Sequence, residues 1–255
     1  MKVIALTFDY DITKLTDNGR FWAREVYGEN PNNIFEYSAA SYATYLKYNS
    51  HIPLHLYTNS VELLKLYIDK YDVDTSNVTY IDYTDQILES KKSKYTFQPI
   101  VDLCYNLKNR NEYIIKIDND LVWRDSIPKL DESKDILLWK FERYVFQGDP
   151  RMGEIKVCEE VCGTTDFKEY NIGVFGYPSN YQIEEFYDVC NKMVNIDILP
   201  VSNLGVNIYH CCEQTAHCWI LNKHNYNIVE LYPIVEHLYE NKLECIEKAK
   251  HLIRR

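Results

Sequence analysis

Two carboxylates, Asp118 and Asp120, stand one residue apart at the end of an apolar run, Tyr113-Ile114-Ile115-Lys116-Ile117. Asn119 separates them, and Leu121-Val122-Trp123 continues the chain. Acids this close repel each other, and a cation between them relieves the repulsion. Hard divalent cations such as Mg²⁺ and Mn²⁺ take oxygen ligands and typically keep one or two carboxylates together with substrate phosphates. The chemistry offered by this spacing is a bound cation that offsets negative charge building on a departing group. A solvated turn at a strand end would use the same residue types without that chemistry.

A strand must deliver these acids, and the flanking pattern supplies one. Residues 3–8 form a short apolar run and predict a buried strand. Residues 13–34 are polar and carry turn signals, and 35–48 suit a helix with an alanine and aromatic face. A strand over 54–57 follows Pro53, and Thr58-Asn59-Ser60 can cap a helix over 61–71. A strand over 78–81, a helix over 96–107 and a strand over 112–117 complete the first half. Strands alternating with crossover helices predict an α/β fold with a mostly parallel, doubly wound sheet. Ligands in such sheets bind at the carboxyl ends of the strands, where Asp118 and Asp120 fall. The second half predicts strands over 135–141, 170–176 and 227–232, helices over 180–193, 206–221 and 243–253, and a long loop over 146–168.

Composition removes several classes. A chain of 255 residues can bury one large core. No linker, repeat or low-complexity tract divides it, so a single domain over 1–255 is expected. The net charge of −10 argues against a nucleic-acid partner, because an acidic surface repels phosphate backbones. No apolar run is long enough for a transmembrane segment. The opening MKVIALTFDY reads as a first strand rather than a signal peptide, which predicts a cytoplasmic protein. The eight cysteines are then reduced thiols. Cys158 and Cys162 have no clean partner pair for structural zinc. None of the eight glycines forms a GxGxxG or P-loop pattern, so a bound diphosphate must be held by another device.

The 113–123 segment resembles the DxD motif of GT-A-fold glycosyltransferases, most of all the glycogenin and bacterial galactosyltransferase type. Other stretches match that family in the same order along the chain. Tyr170-Asn171-Ile172-Gly173-Val174-Phe175 is similar to its Asn-x-Gly-Val strand, Glu213-Gln214 to its acid-Gln pair, and His237 with Lys242 to its C-terminal His…Lys element. The last match departs from the family: the spacing is one residue shorter, the intervening Gly is missing, and no Pro-Trp follows. The resemblance implies a GT-A-like sheet with a smaller acceptor-side region in the C-terminal half. Residues 1–123 would bind a nucleoside-diphosphate sugar, by analogy a uridine diphosphate one. Residues 124–255 would bind the acceptor, a glycan, protein or small molecule. Asp118, Asp120 and His237 would hold Mn²⁺ or Mg²⁺. Phe8, Asp9, Tyr10, Asp82, Tyr83, Lys94, Asp118, Asn119 and Lys242 would contact the donor. Asn171, Glu213 and Gln214 would face the sugar or the acceptor.

A rival reading uses the same chain. Residues 3–13 fit hhhhDxDxT and resemble the first motif of haloacid-dehalogenase-type phosphatases, with Asp9 as nucleophile and Asp11 as general acid. Residues 54–59 resemble their second motif, Lys94 would stand for the lysine that steadies the aspartyl-phosphate, and Asp118 and Asp120 would hold Mg²⁺. Against it, Ile12 stands where that motif has Gly, and a long segment follows Asp120. A third possibility is a carbohydrate- or nucleotide-binding protein that keeps the fold without the chemistry.

Overall fold

Strand β1 (Lys2–Thr7) pairs in parallel with β2 (Leu54–Thr58) on one side and β4 (Ile114–Ile117) on the other. Strand β3 (Val78–Asp82) adds in parallel to β2. The computed structural model describes residues 1–8, 32–90, 97–145, 161, 163, 167–195, 212–238 and 241–253. All four residues of β4 are buried, as expected for a central strand covered on both faces. Helices α1 (Asn32–Asn49), α2 (Val61–Ile68), α3 (Thr84–Ser90) and α4 (Gln98–Asn106) lie between these strands in sequence. Pro99 sits in the first turn of α4, where its missing N–H costs nothing.

The second half brings the exception to parallel pairing. Strands β6 (Asp135–Val145) and β7 (Phe167–Tyr177) run antiparallel to each other, and β7 also runs antiparallel to β4. Strand β8 (Asn227–Glu230) closes the edge in parallel with β6. The seven-stranded order is β3-β2-β1-β4-β7-β6-β8. Four of its six pairings are parallel. Two three-residue strands, β5 (Leu121–Trp123) and β9 (Val235–His237), form a separate antiparallel ribbon. Helices α5 (Ile183–Asn195) and α6 (Cys212–His224) pack together, with α6 against β7, and α7 (Glu244–Ile253) packs on α1.

Several local expectations need correction. Ser60 makes no side-chain cap on α2; Thr58 Oγ1 instead accepts the Ser60 N–H at 3.1 Å. The helix expected to reach residue 71 stops at Ile68, where Asp69 and its neighbours turn back on Lys65 and Tyr67. Residues 167–168 belong to β7 rather than to the long loop, and β8 ends two residues short of its expected limit. The helix expected over 206–221 is described from Cys212 onward and runs to His224. Helix α3 and the ribbon strands β5 and β9 are additional elements.

Helix α1 is buried almost all round, a pattern that requires small residues and satisfied hydroxyls. Ala39, Ala40 and Ala43 are fully buried, and Tyr37, Tyr42 and Tyr45 fill the wider gaps. Its polar side chains hold the ribbon. Ser41 Oγ accepts from the Leu121 N–H at 3.1 Å, Thr44 Oγ1 from the Trp123 N–H at 3.0 Å, and Asn49 Oδ1 from the Ile127 N–H at 2.8 Å. The Leu121 and Trp123 N–H groups are strand donors that β9 does not serve, and Ile127 lies just beyond the strand. A buried N–H left unpaired costs about 1–3 kcal/mol, so the hydroxyls of α1 decide where β5 can lie.

Candidate active site

Side chains alternate across a strand, so Lys116 and Asp118 share one face of β4 and its extension. Asp118 is anchored by its own N–H, which donates to the Gly173 carbonyl of β7 at 2.7 Å. Its side chain is 35 % exposed, whereas that of Asp120 is 2 % exposed. The ribbon then brings in the far end of the chain. In the β5–β9 register His237 stands opposite Leu121, and the Leu238 N–H donates to the Asp120 carbonyl at 2.9 Å. His237 Nε2 lies 3.0 Å from Asp120 Oδ1 and 3.8 Å from Asp118 Oδ2. One ligand atom from each of Asp118, Asp120 and His237 falls within 4.8 Å of the others.

Each acid has its own lysine. Lys242, just before α7, forms an ion pair with Asp120 Oδ2. Burial alone would raise the Asp120 carboxyl, but the Lys242 ammonium and His237 outweigh burial and hold it well below the usual carboxylate range. Asp120 Oδ1 is sealed from solvent and takes no hydrogen bond among the described residues; what faces it is His237 Nε2. Lys116 is 4 % exposed and reaches Asp118 Oδ1 at 2.7 Å, Glu213 Oε1 at 3.2 Å and the Ile172 carbonyl at 3.2 Å. Burial pushes its ammonium down, yet Asp118 and Glu213 outweigh this and keep it above the ordinary lysine value. Glu213, in the first turn of α6, is raised above the ordinary carboxylate value by burial; Lys116 opposes the rise and Asp118 adds to it.

The sugar-side candidates surround this centre. Asn171 on β7 contacts His237 through its side-chain oxygen, at 3.0 Å from Nδ1. Gln214 donates to Glu169 Oε1 at 3.0 Å, so it sits beside the cluster rather than in it. Gly173 is required by close approach. A Cβ there would lie 2.6 Å from His237 Nδ1 and 3.2 Å from Asn171 Oδ1.

The donor-side candidates divide. Asn119 is half-buried between the two acids. Phe8 is buried at the end of β1. Asp82 is exposed and caps α3, accepting from the Thr84 N–H at 3.0 Å and from its hydroxyl at 2.6 Å. Tyr83 is buried, edge-on to Tyr57, and accepts from Asn106 Nδ2 at 3.4 Å. Asp82 ends β3 and Tyr83 follows it, three strand spacings from β4, or about 14 Å away. Asp9, Tyr10, Asp11 and Lys94 lie outside the described residues.

Sequence reading missed Lys116, Tyr42 and Glu142. Tyr42 shares a 2.6 Å hydrogen bond with Thr7, and the charges of Asp118 and Asp120 add to the burial that raises its hydroxyl. The available signal for Lys116 was a single cation inside an apolar strand, two residues before Asp118 and therefore on its face.

No family model matches the sequence, and no curated protein matches it. Among solved structures, the galactosyltransferase LgtC in complex with donor and acceptor sugar analogues matches with a TM-score of 0.53 at 10 % identity, over 99 % of this chain and 96 % of that one. The chain has the GT-A fold. The apo form of mouse xyloside xylosyltransferase 1 matches with a TM-score of 0.49 at 13 % identity, over 90 % of this chain and 84 % of that one. Within the GT-A frame, the Asp-Asn-Asp segment occupies the carboxyl end of β4, at the junction of parallel and antiparallel strands. The fold does not favour the phosphatase reading. No described helix is long and apolar enough to cross a membrane.

Proposed function

We propose that this protein is a metal-dependent glycosyltransferase that moves a sugar from a nucleoside-diphosphate sugar to an acceptor hydroxyl. The observation that carries the reading is the convergence of Asp118 and Asp120, from the middle of the chain, with His237, from its C-terminal part, at the tip of β4. The sealed Oδ1 of Asp120 facing an imidazole nitrogen suits a cation. Two carboxylates with one imidazole favour Mn²⁺ over Mg²⁺, because Mg²⁺ prefers oxygen donors while imidazole suits transition metals. A divalent cation held there would offset the charge on the departing nucleoside diphosphate.

The protein's own groups do the rest. Lys242 keeps Asp120 ionised and adds positive charge where the diphosphate would lie. Lys116 pairs with both Asp118 and Glu213 and holds them in fixed positions beneath the sugar. Glu213 would then stabilise positive charge at the sugar centre or orient the acceptor. Residues 1–123 supply the donor side, with the uridine diphosphate carrier as the first candidate. Residues 124–255 supply the acceptor side for a glycan, protein or small molecule.

A thermal-shift panel of nucleoside diphosphates and nucleotide-sugars, with and without Mn²⁺, tests the reading. A ligand at a hundredfold excess over its Kd stabilises by about 2.7 kcal/mol, so the donor identifies itself by a metal-dependent rise in Tm. A panel in which no nucleotide raises Tm with Mn²⁺ present would overturn it.

A further inference from the structure

The Asn171 amide has a polarity that its neighbours dictate. The Gly173 N–H points at one terminal atom from 2.9 Å, and a backbone N–H can only donate, so that atom is Oδ1. The other terminal atom lies 2.9 Å from Glu142 Oε1, and a carboxylate oxygen accepts, so that atom is Nδ2. Both ends of the amide give the same orientation. Oδ1 then lies 3.0 Å from His237 Nδ1. An amide oxygen cannot donate, so Nδ1 must carry the proton. Nε2 is then the nitrogen that faces Asp120 and Asp118, the one placed to exchange a proton shared with them for a cation.

We infer that Asn171 is a positioning residue for metal binding: with Gly173 and Glu142 it holds His237 in the Nδ1–H tautomer, so that Nε2 is the ligand atom. The inference rests on the proposed metal site and assigns Asn171 a task other than facing the sugar. Gly173 contributes twice. Its N–H fixes the amide, and its missing Cβ leaves room for the imidazole that a methyl group would strike. Trp139 meets the His237 ring edge-on at 5.2 Å between centroids, which limits the ring's rotation. Asn171 Oδ1 accepts both from the backbone of β7 and from the imidazole on ribbon strand β9, so the sheet itself sets which nitrogen turns to Asn171 and which to the acids. Outer hydrogen bonds of this kind commonly change metal affinity by about 10–100-fold when removed.

The test compares wild type, Asn171→Leu, Asn171→Asp and Glu142→Ala, all without nucleotide. Mn²⁺ affinity is read by electron paramagnetic resonance or calorimetry. Protonation of His237 Nδ1 is read from ¹⁵N–¹H correlations of the metal-free protein. Wild type should show Nδ1–H. Asn171→Leu should lose that preference and bind Mn²⁺ about 10–100-fold more weakly. Asn171→Asp keeps an acceptor and should restore both to within a few-fold. Glu142 is exposed, so Glu142→Ala should fold even if Asn171→Leu does not, and should weaken Mn²⁺ binding by less than Asn171→Leu does. Unchanged Mn²⁺ affinity in the Leu and Ala variants, with a rise only in donor KM, would overturn the inference. A wild type that shows the Nδ1–H tautomer, lost in Asn171→Leu, but binds no Mn²⁺ would uphold the positioning and sink the metal reading instead.

Discussion

Asp118 and Asp120 are near neighbours in sequence but answer to different regions of the molecule. Asp118 belongs to the sheet: Lys116 beneath it on β4, itself paired with Glu213 of α6, and the Gly173 carbonyl on β7 hold it, and a third of it faces solvent. Asp120 belongs to the C-terminal segment: His237 and Lys242 close over it and seal it. The difference teaches that a two-residue motif is half pre-built and half assembled. The sheet side exists once β4 pairs with β7. The other side exists only after β9 finds β5.

The largest effect should come from removing the sealed acid. Asp120→Asn should abolish Mn²⁺-dependent nucleotide binding in calorimetry, while Asp118→Asn, partly exposed and held by Lys116, should leave a weakened but measurable binding. Equal losses would erase the distinction between the two regions. Next is the sheet side. Lys116→Met leaves two carboxylates without their buried partner and should lower unfolding free energy by about 3–5 kcal/mol in urea titrations. Adding Glu213→Gln should recover part of it, because one uncompensated charge is gone. Lys116 opposes the raised state of the Glu213 carboxyl, so its loss should also move the acidic limb of the activity profile to higher pH.

A smaller effect is expected on the assembled side. Asp120 is held below its ordinary value in the folded protein, so its pairing contributes stability that is complete above about pH 4 and fades as pH falls below it. Lys242→Met should therefore be about 1–3 kcal/mol less stable than wild type at neutral pH, with the gap closing in acid. A gap that widened in acid would contradict the assignment. Smallest is Ser41→Ala, which orphans the Leu121 N–H and should cost about 1 kcal/mol in thermal unfolding.

The sheet side was largely readable in advance. Runs such as Val3 to Leu6 and Tyr113 to Ile115 are apolar throughout, and helices between them imply parallel neighbours. The direction of β7 was not readable, because a strand's side-chain period carries no sign. The β5–β9 ribbon escaped because three residues show no period, and its pairing joins distant segments. His237 and Lys242 came from family order alone, whereas their contacts depend on that ribbon. Asp82 illustrates a different limit: an acid after a strand looks like a ligand contact, yet its oxygen is used by Thr84 at the start of α3. Asn171 was named as a site residue on family order, but its partner, His237, lies on another strand and no spacing along β7 points to it.

The ribbon is only three pairs long, and this makes the segment 231–234 a ruler. Val235 is buried and His237 is turned towards the acids, while Glu236 between them faces outward to Arg124 and Lys248. A slip of a single residue would exchange those faces and set a carboxylate where the imidazole belongs. One inserted residue in that segment could leave the seven-stranded sheet standing and the protein soluble, yet silence the cluster entirely, a lesion of register rather than of folding.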